Sequence, residues 1–178
     1  MKKTSQARSL KKKESVLVFI KPDGMSRGLA GIVLEKFFAA GLELVAARLV
    51  TVSRRMAEEH YRHLRGKPFY EGVIQHILGT GYPEKRILAF VFAGPGAVSR
   101  CRLIAGATNP EEADLLSIRG AFGRITTKGV FENVIHVSSD TVEAEREIKL
   151  WFEPEQIDAR LYPVKTIPAG KFSKKVWA

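Results

Sequence analysis

Short apolar runs alternate with stretches of helical periodicity along this chain. Val16-Leu17-Val18-Phe19-Ile20 is continuous, apolar and mainly β-branched, and Lys21-Pro22-Asp23-Gly24 closes it. This predicts a buried strand ending in a turn. Leu29, Ile32, Val33 and Phe37 recur at helical spacing up to Gly41, which predicts a helix and its stop. Residues 42–52 predict a second strand, interrupted by the polar Glu43 and Arg48. Residues 53–64 and 69–78 read as helices split by Gly66-Lys67-Pro68, 87–92 as the third strand, and 97–105 as a helix stopped by Gly106. From 106 to 132 the chain is rich in Gly, Thr and Arg with weak periodicity, which predicts an irregular ordered loop. Asn133 to Val137 predicts the fourth strand. Asp140 to Phe152 predicts a helix with Asp140 at its N-cap and Glu143 three places on. After Pro154 an extended segment is expected, packed on the body and fraying near its end.

That order fits an α/β (α+β) fold with a ferredoxin-like βαββαβ core. It calls for a four-stranded antiparallel sheet with covering helices and an irregular loop before the last strand. With 178 residues the chain suits one domain. Such a domain hides roughly 70% of its unfolded surface without needing a disulfide or structural metal. The expected boundaries are a basic leader over 1–14, a catalytic body over 15–154, and a C-terminal extension over 155–178, basic at its end.

Composition narrows the class. At 45% hydrophobic and 27% charged residues the chain is ordinary for a globular protein. Cys101 is the only cysteine, which excludes an internal disulfide or a multi-cysteine zinc site and favours a reducing compartment. The longest apolar stretch, near Ile87 to Ala93, falls far short of the ~20 residues a membrane span needs. A soluble, cytoplasmic protein with no membrane partner is expected. The net charge of +10 resides in the tails: six unopposed cations lie in residues 1–13 and three in 171–178, leaving the body near +1. The leader reads either as a polyanion-binding arm or as a solvated extension. It has no aromatic residue on which a base could stack, which favours the second. A secretory signal is excluded, because the apolar run at 16–20 is short and Lys21-Pro22-Asp23 follows at once.

Several chemistries are absent. The sequence has no Gly-x-x-x-x-Gly-Lys-Ser/Thr loop, no Gly-x-Gly-x-x-Gly after a strand, no Gly-x-Ser-x-Gly elbow and no protein-kinase motif set. His60 and His63 stand at i, i+3 but lack a third metal ligand in register, so they read as surface histidines. His136 ends the last strand just before a capped helix, where it is either a satisfied core histidine or one that projects into a cleft. In the helix that follows, Ala144, Ile148, Trp151 and Phe152 form an apolar stripe, and Glu147 falls on it. A buried carboxylate needs a partner, and His136 is the candidate. A carboxylate fixes the tautomer and orientation that a nucleophilic histidine requires. Lys21, Arg102 and Arg119 supply cations, and Thr108 and Asn133 supply polar contacts. A histidine nucleophile among cations points to phosphoryl transfer, where catalysis is positioning plus charge stabilisation.

The residues also carry a family resemblance. Phe19-Ile20-Lys21-Pro22-Asp23-Gly24 with Arg27-Gly28 resembles the opening motif of nucleoside diphosphate kinases. So, in chain order, do His60-Tyr61, Lys67-Pro68-Phe69-Tyr70-Glu71-Gly72, Gly106-Ala107-Thr108-Asn109-Pro110, Ile118-Arg119-Gly120, Asn133-Val134-Ile135-His136, Glu147-Ile148 and Leu150-Trp151-Phe152. The resemblance runs from about Val16 to Pro154. It implies that His136 takes the γ-phosphoryl group of ATP and passes it to a nucleoside diphosphate. Glu147 would hold the other ring nitrogen, with Ser138 nearby and Tyr61 beside the histidine. Lys21 would contact the sugar hydroxyls and the transferring phosphate. Arg102, Thr108 and Arg119 would hold phosphates, Asn133 the sugar 3′-hydroxyl, and Phe69 would stack on the base. Mg²⁺ would arrive with the nucleotide, with no protein metal site, and the protein would be a homo-oligomer, a hexamer or tetramer built from dimers.

Some positions depart from the family pattern. Val137 follows the histidine where Gly or Ala is usual, Ser139-Asp140 is displaced by one place, and Ala121 replaces an Asp. Segments 79–86 and 123–132 are longer than the common connections and bear on subunit contacts. The rival reading is a ferredoxin-like nucleic-acid-binding module with basic tails. It predicts aromatic residues on adjacent central strands, but Arg119-Gly120-Ala121-Phe122-Gly123 has Ala and Gly at those places.

Overall fold

The computed structural model describes residues 13–158, 161–170 and 172–178. The expected leader lies outside the described residues up to position 12. Its last two residues, Lys13 and Glu14, are instead paired in the first strand, opposite Pro95 and Gly94.

Four strands build the main sheet: β1 (Lys13–Ile20), β2 (Glu43–Thr51), β3 (Arg86–Pro95) and β6 (Ile135–Val137). Their order is β2-β3-β1-β6, and every pairing is antiparallel. Successive side chains of a strand point to opposite faces. Leu17 and Phe19 enter one core with helices α3 (Arg54–His60), α4 (Tyr70–Ile77) and α7 (Thr141–Trp151). Val16, Val18 and Ile20 enter the other with α2 (Ala30–Ala39) and α5 (Ala97–Ala105). A strand covered on both sides has no polar face, which explains the unbroken apolar run at 16–20. Each fully buried large side chain contributes about 1.5–3 kcal/mol.

Local chemistry sets the ends. Lys21-Pro22-Asp23-Gly24 is more than the expected turn, since it opens helix α1 (Pro22–Ser26) with Pro22 in the first turn, where its missing N–H costs nothing. The Asp140 carboxylate caps α7 by accepting from the N–H groups of Val142 and Glu143, both at 2.9 Å. Glu143 turns instead to Arg146, at 2.7 Å. The loop at 106–132 is less irregular than expected. It holds a 3-10 turn (Pro110–Glu112), helix α6 (Ile118–Phe122) and a short hairpin of β4 (Arg124–Ile125) and β5 (Phe131–Glu132).

The C-terminal extension is a hairpin of β7 (Val164–Ala169) and β8 (Phe172–Trp177), not a single extended segment. Gly170, at φ 64°, supplies the left-handed residue that a tight hairpin needs. The hairpin is tied to the body by Trp177, whose Nε1–H donates to the Phe152 carbonyl at 3.0 Å. Tyr162 helps, its hydroxyl lying 2.6 Å from Ser15 Oγ. Among the described residues, no helix is long and apolar enough to cross a membrane.

Candidate active site

His136 sits on the edge strand β6, in register with Phe19 of β1, and the two rings stack with centroids 4.6 Å apart. Its Nε2 lies 2.9 Å from Glu147 Oε2. Ser138 Oγ donates to the same oxygen at 2.5 Å and accepts from the Leu17 N–H at 3.2 Å, while the Ser138 N–H donates to the Leu17 carbonyl at 3.1 Å. Burial raises the Glu147 carboxyl pKa, but the His136 charge and hydrogen bond, His60 and Ser138 outweigh it and draw it down to about 2. A carboxylate only accepts, so His136 Nε2 must carry the proton and a neutral ring keeps its lone pair on Nδ1. The His136 side chain is 15% exposed, against 3% for Glu147. The structure thus joins the predicted His136, Glu147 and Ser138, and Tyr61 stands beside them with its ring 6.4 Å from that of His136. Burial and the Glu147 charge push the Tyr61 hydroxyl pKa up, so it stays protonated.

The cations and amides form an adjoining cluster. Lys21 Nζ donates to Asn133 Oδ1 at 2.6 Å, and Asn133 Nδ2 donates to the Thr108 carbonyl at 2.7 Å. Burial, partly offset by Asp23 and reinforced by Arg119, lowers the Lys21 ammonium to about 8. Arg119 is buried and held by carbonyls, donating to Gly106 at 2.9 Å and to Ile135 at 3.0 Å. Burial takes its guanidinium down to about 10. Among the described residues its Nε has no hydrogen-bond partner. A desolvated cation held by neutral groups is a preorganised seat for an anion. Arg102, in the last turn of α5, is exposed and adds to the positive field on Arg119. Thr108 is exposed, and Phe69, at the N-cap of α4, is 55% exposed.

A second polar system supports the strand that carries His136. Val134 adopts φ 69°, a conformation that a β-branched residue avoids at a cost of about 1–3 kcal/mol. Its N–H donates to Asp23 Oδ2 at 2.9 Å, and its carbonyl accepts from the Lys21 N–H at 2.8 Å. Asp23 Oδ1 meets His76 Nε2 at 2.9 Å. Burial raises the Asp23 carboxyl pKa, but His76, Lys21 and the Val134 N–H together bring it below its ordinary value. Gly24 is required here, because a Cβ would lie 2.8 Å from Ile20 and 2.9 Å from Val134.

One expectation is overturned. His60 is not a surface histidine: it is fully buried, its ring 4.5 Å from that of His136, while His63 is exposed. His60 shares the buried face of α3 with Ala57 at i, i+3, and Trp151 Nε1–H donates to its Nδ1 at 3.1 Å. Both signals were in the sequence, since a buried indole N–H needs an acceptor. His60, His136 and Glu147 offer three ligand atoms within 4.8 Å of one another, but both Nε2 atoms carry protons and Arg146 Nη2 lies 3.8 Å from Glu147 Oε1. Within the cluster His136 and Glu147 are hydrogen-bonded to each other, while His60 bonds to Trp151 and lies 3.8 Å from Glu147.

A family model described as "Nucleoside diphosphate kinase" matches residues 14–157. The chain belongs to the nucleoside diphosphate kinase family. The nucleoside diphosphate kinase of Symbiobacterium thermophilum is 43% identical over 156 residues, spanning 84% of this chain and 98% of that protein. The Thermus thermophilus enzyme is 42% identical over 144 residues, or 81% and 98% of the two chains. Among solved structures, the Borrelia burgdorferi nucleoside-diphosphate kinase, a transition-state mimic with bound vanadate and ADP, superposes with a TM-score of 0.74. It is 31% identical, covering 82% of this chain and 90% of that one. The Halobacterium salinarum enzyme in complex with CDP gives the same score and identity, over 82% and 91%. Membership of the nucleoside diphosphate kinase family sets aside the nucleic-acid-binding module as the main reading.

Proposed function

We propose that the chain phosphorylates nucleoside diphosphates from ATP in two half-reactions, through a phosphohistidine at Nδ1 of His136. The observation that carries this is the 2.9 Å contact between His136 Nε2 and Glu147, which leaves Nδ1 with a lone pair. In the first half-reaction that pair bonds to the γ-phosphorus of ATP. The bond from phosphorus to the β–γ bridging oxygen breaks, and its electrons leave with ADP. In the second, a β-phosphate oxygen of the acceptor attacks phosphorus, and the N–P bond returns its pair to Nδ1. The Nε2 proton stays put throughout, and Glu147 offsets the positive character of the substituted ring.

Lys21, Arg102, Thr108 and Arg119 hold the phosphates in this reading, supported by the desolvated cations described above. Lys21 and Asn133 meet the sugar, and the exposed Phe69 ring stacks on the base, which is tolerant of base identity. Mg²⁺ suits the donor set as a passenger of the nucleotide. Glu147 is committed to His136 and Ser138, and Asp140 to the α7 N-cap, so phosphate oxygens would hold the ion. Bound there, it neutralises phosphate charge. The reading also takes 15–154 as the catalytic body, the protein as cytoplasmic on its lone buried Cys101, and a hexamer or tetramer built from dimers as its assembly. Exposed Leu103, Leu115 and Leu116 support self-association. Basic tails leave nucleic acid as an accessory partner.

Incubation with γ-labelled ATP alone tests the reading. An acid-labile, alkali-stable label should form and move to added nucleoside diphosphate, and folded His136→Ala should do neither. Transfer retained in His136→Ala would remove the proposal.

A further inference from the structure

We propose that His60 is a positioning residue for the reaction, its Nε2–H pinning the second oxygen of Glu147 so that Oε2 stays aligned on His136. This rests on His136 being the nucleophile.

His60 is fully buried at the end of α3, packed between the rings of Phe19, Tyr61, Trp151 and His136. An indole only donates, so the 3.1 Å contact from Trp151 Nε1 makes His60 Nδ1 an acceptor and puts the His60 proton on Nε2. Among the described residues that Nε2–H has no hydrogen-bond partner, although a buried donor left unmade costs about 1–3 kcal/mol. It faces Glu147 Oε1 at 3.8 Å. Oε2 is already taken by His136 and Ser138, while the His60 Nε2–H and Arg146 Nη2 both stand 3.8 Å from Oε1. A shift of under ~1 Å would complete the bond. Burial first, then the His136 and Arg146 charges, hold the His60 pKa well below its ordinary value against the pull of Glu147, so the ring stays neutral. A neutral ring donates to the carboxylate without competing for its charge.

Two substitutions divide the ring's two roles. His60→Asn places an oxygen near the Nδ1 position, keeping the acceptor for Trp151 and losing the Nε2–H. His60→Gln places an amide nitrogen near Nε2, keeping the donor and losing the acceptor. Single-turnover phosphorylation by ATP should be on the order of tenfold slower in His60→Asn, with ATP affinity unchanged, and within about threefold of wild type in His60→Gln. Thermal melting should rank them the other way, with His60→Asn the more stable. A wild-type rate in His60→Asn, or the same ranking in rate and melting, would overturn the proposal. Mapping the label to His136 in each variant separates this failure from failure of the nucleophile itself. Long-range ¹H–¹⁵N spectra of the wild-type protein at pH 7 need no variant: His60 must appear as the Nε2–H tautomer, and an Nδ1–H or doubly protonated ring refutes the assignment.

Discussion

Two buried carboxylate–histidine pairs act on the segment 133–137, and they are built on the same contact. Glu147 meets His136 Nε2 at 2.9 Å, and Asp23 meets His76 Nε2 at 2.9 Å. Both carboxylates sit below their ordinary pKa despite burial. They differ in what their remaining atoms do. Asp23 gives its second oxygen to the Val134 N–H, and its histidine stacks on Tyr82 with ring centroids 5.3 Å apart. Glu147 concentrates its bonds on one oxygen, and its histidine keeps a free nitrogen on a partly exposed ring. The first pair is a clamp that holds a strained backbone. The second fixes the orientation of a side chain whose other nitrogen stays open. What a carboxylate–histidine pair does is therefore set by its second oxygen and second nitrogen, not by the pair itself.

Removing each carboxylate should break the two systems differently. Asp23→Ala leaves Val134 strained and His76 unpaired, so it should cost about 3–5 kcal/mol in urea unfolding and take turnover down with it. Unchanged stability would mean that Asp23 is no clamp. Glu147→Gln should slow phosphorylation of His136 by on the order of 10–1,000-fold. Nucleotide affinity should hold and the melting temperature at pH 7 should fall, since the folded protein favours the ionised carboxylate over a neutral group despite burial. Wild-type kinetics in that variant would require withdrawing the pairing.

Acid sharpens the comparison further. Glu147 lies near 2 in the folded protein against an ordinary 4.5, so the folded state binds fewer protons than the unfolded chain. Its contribution is complete above about pH 4.5 and is lost as pH falls towards 2, on the order of 3 kcal/mol in all. Denaturant midpoints between pH 6 and 2.5 should fall less steeply in Glu147→Gln than in wild type, and parallel slopes would contradict the assignment. An exposed pair supplies the lower bound. Lys174 Nζ and Glu153 Oε2 lie 3.1 Å apart with both side chains at least half exposed, so Lys174→Ala should cost under about 1 kcal/mol. A larger loss in thermal melting would show that burial is not what separates the strong pairs from the weak one.

How much of this was legible in the sequence depended on range. The apolar run at 16–20, Asp140 as an N-cap and Glu147 on an apolar stripe are local signals, and each locates an element or a buried charge. Glu147 needed a partner, and the nearest histidine upstream was the right one. The i, i+3 relation of His60 to His63 suggests a surface pair, whereas the one to Ala57 and the acceptor that Trp151 needs place His60 inside. The Asp23–His76 contact joins residues 53 apart, and Arg119 is caged by carbonyls 13 and 16 residues away. No local pattern encodes such pairings, nor the positive φ of Val134 that they sustain. At the C-terminus, Gly170 is the turn signal that marks the hairpin.

The position of the phosphate on the His136 ring tests the central claim most directly. Glu147 occupies Nε2, so protein phosphorylated by ATP and examined by ³¹P and ¹⁵N resonance without acid exposure must carry its phosphate on Nδ1 of His136. Phosphate on Nε2, or on any other residue in a protein that still transfers to nucleoside diphosphate, would contradict it.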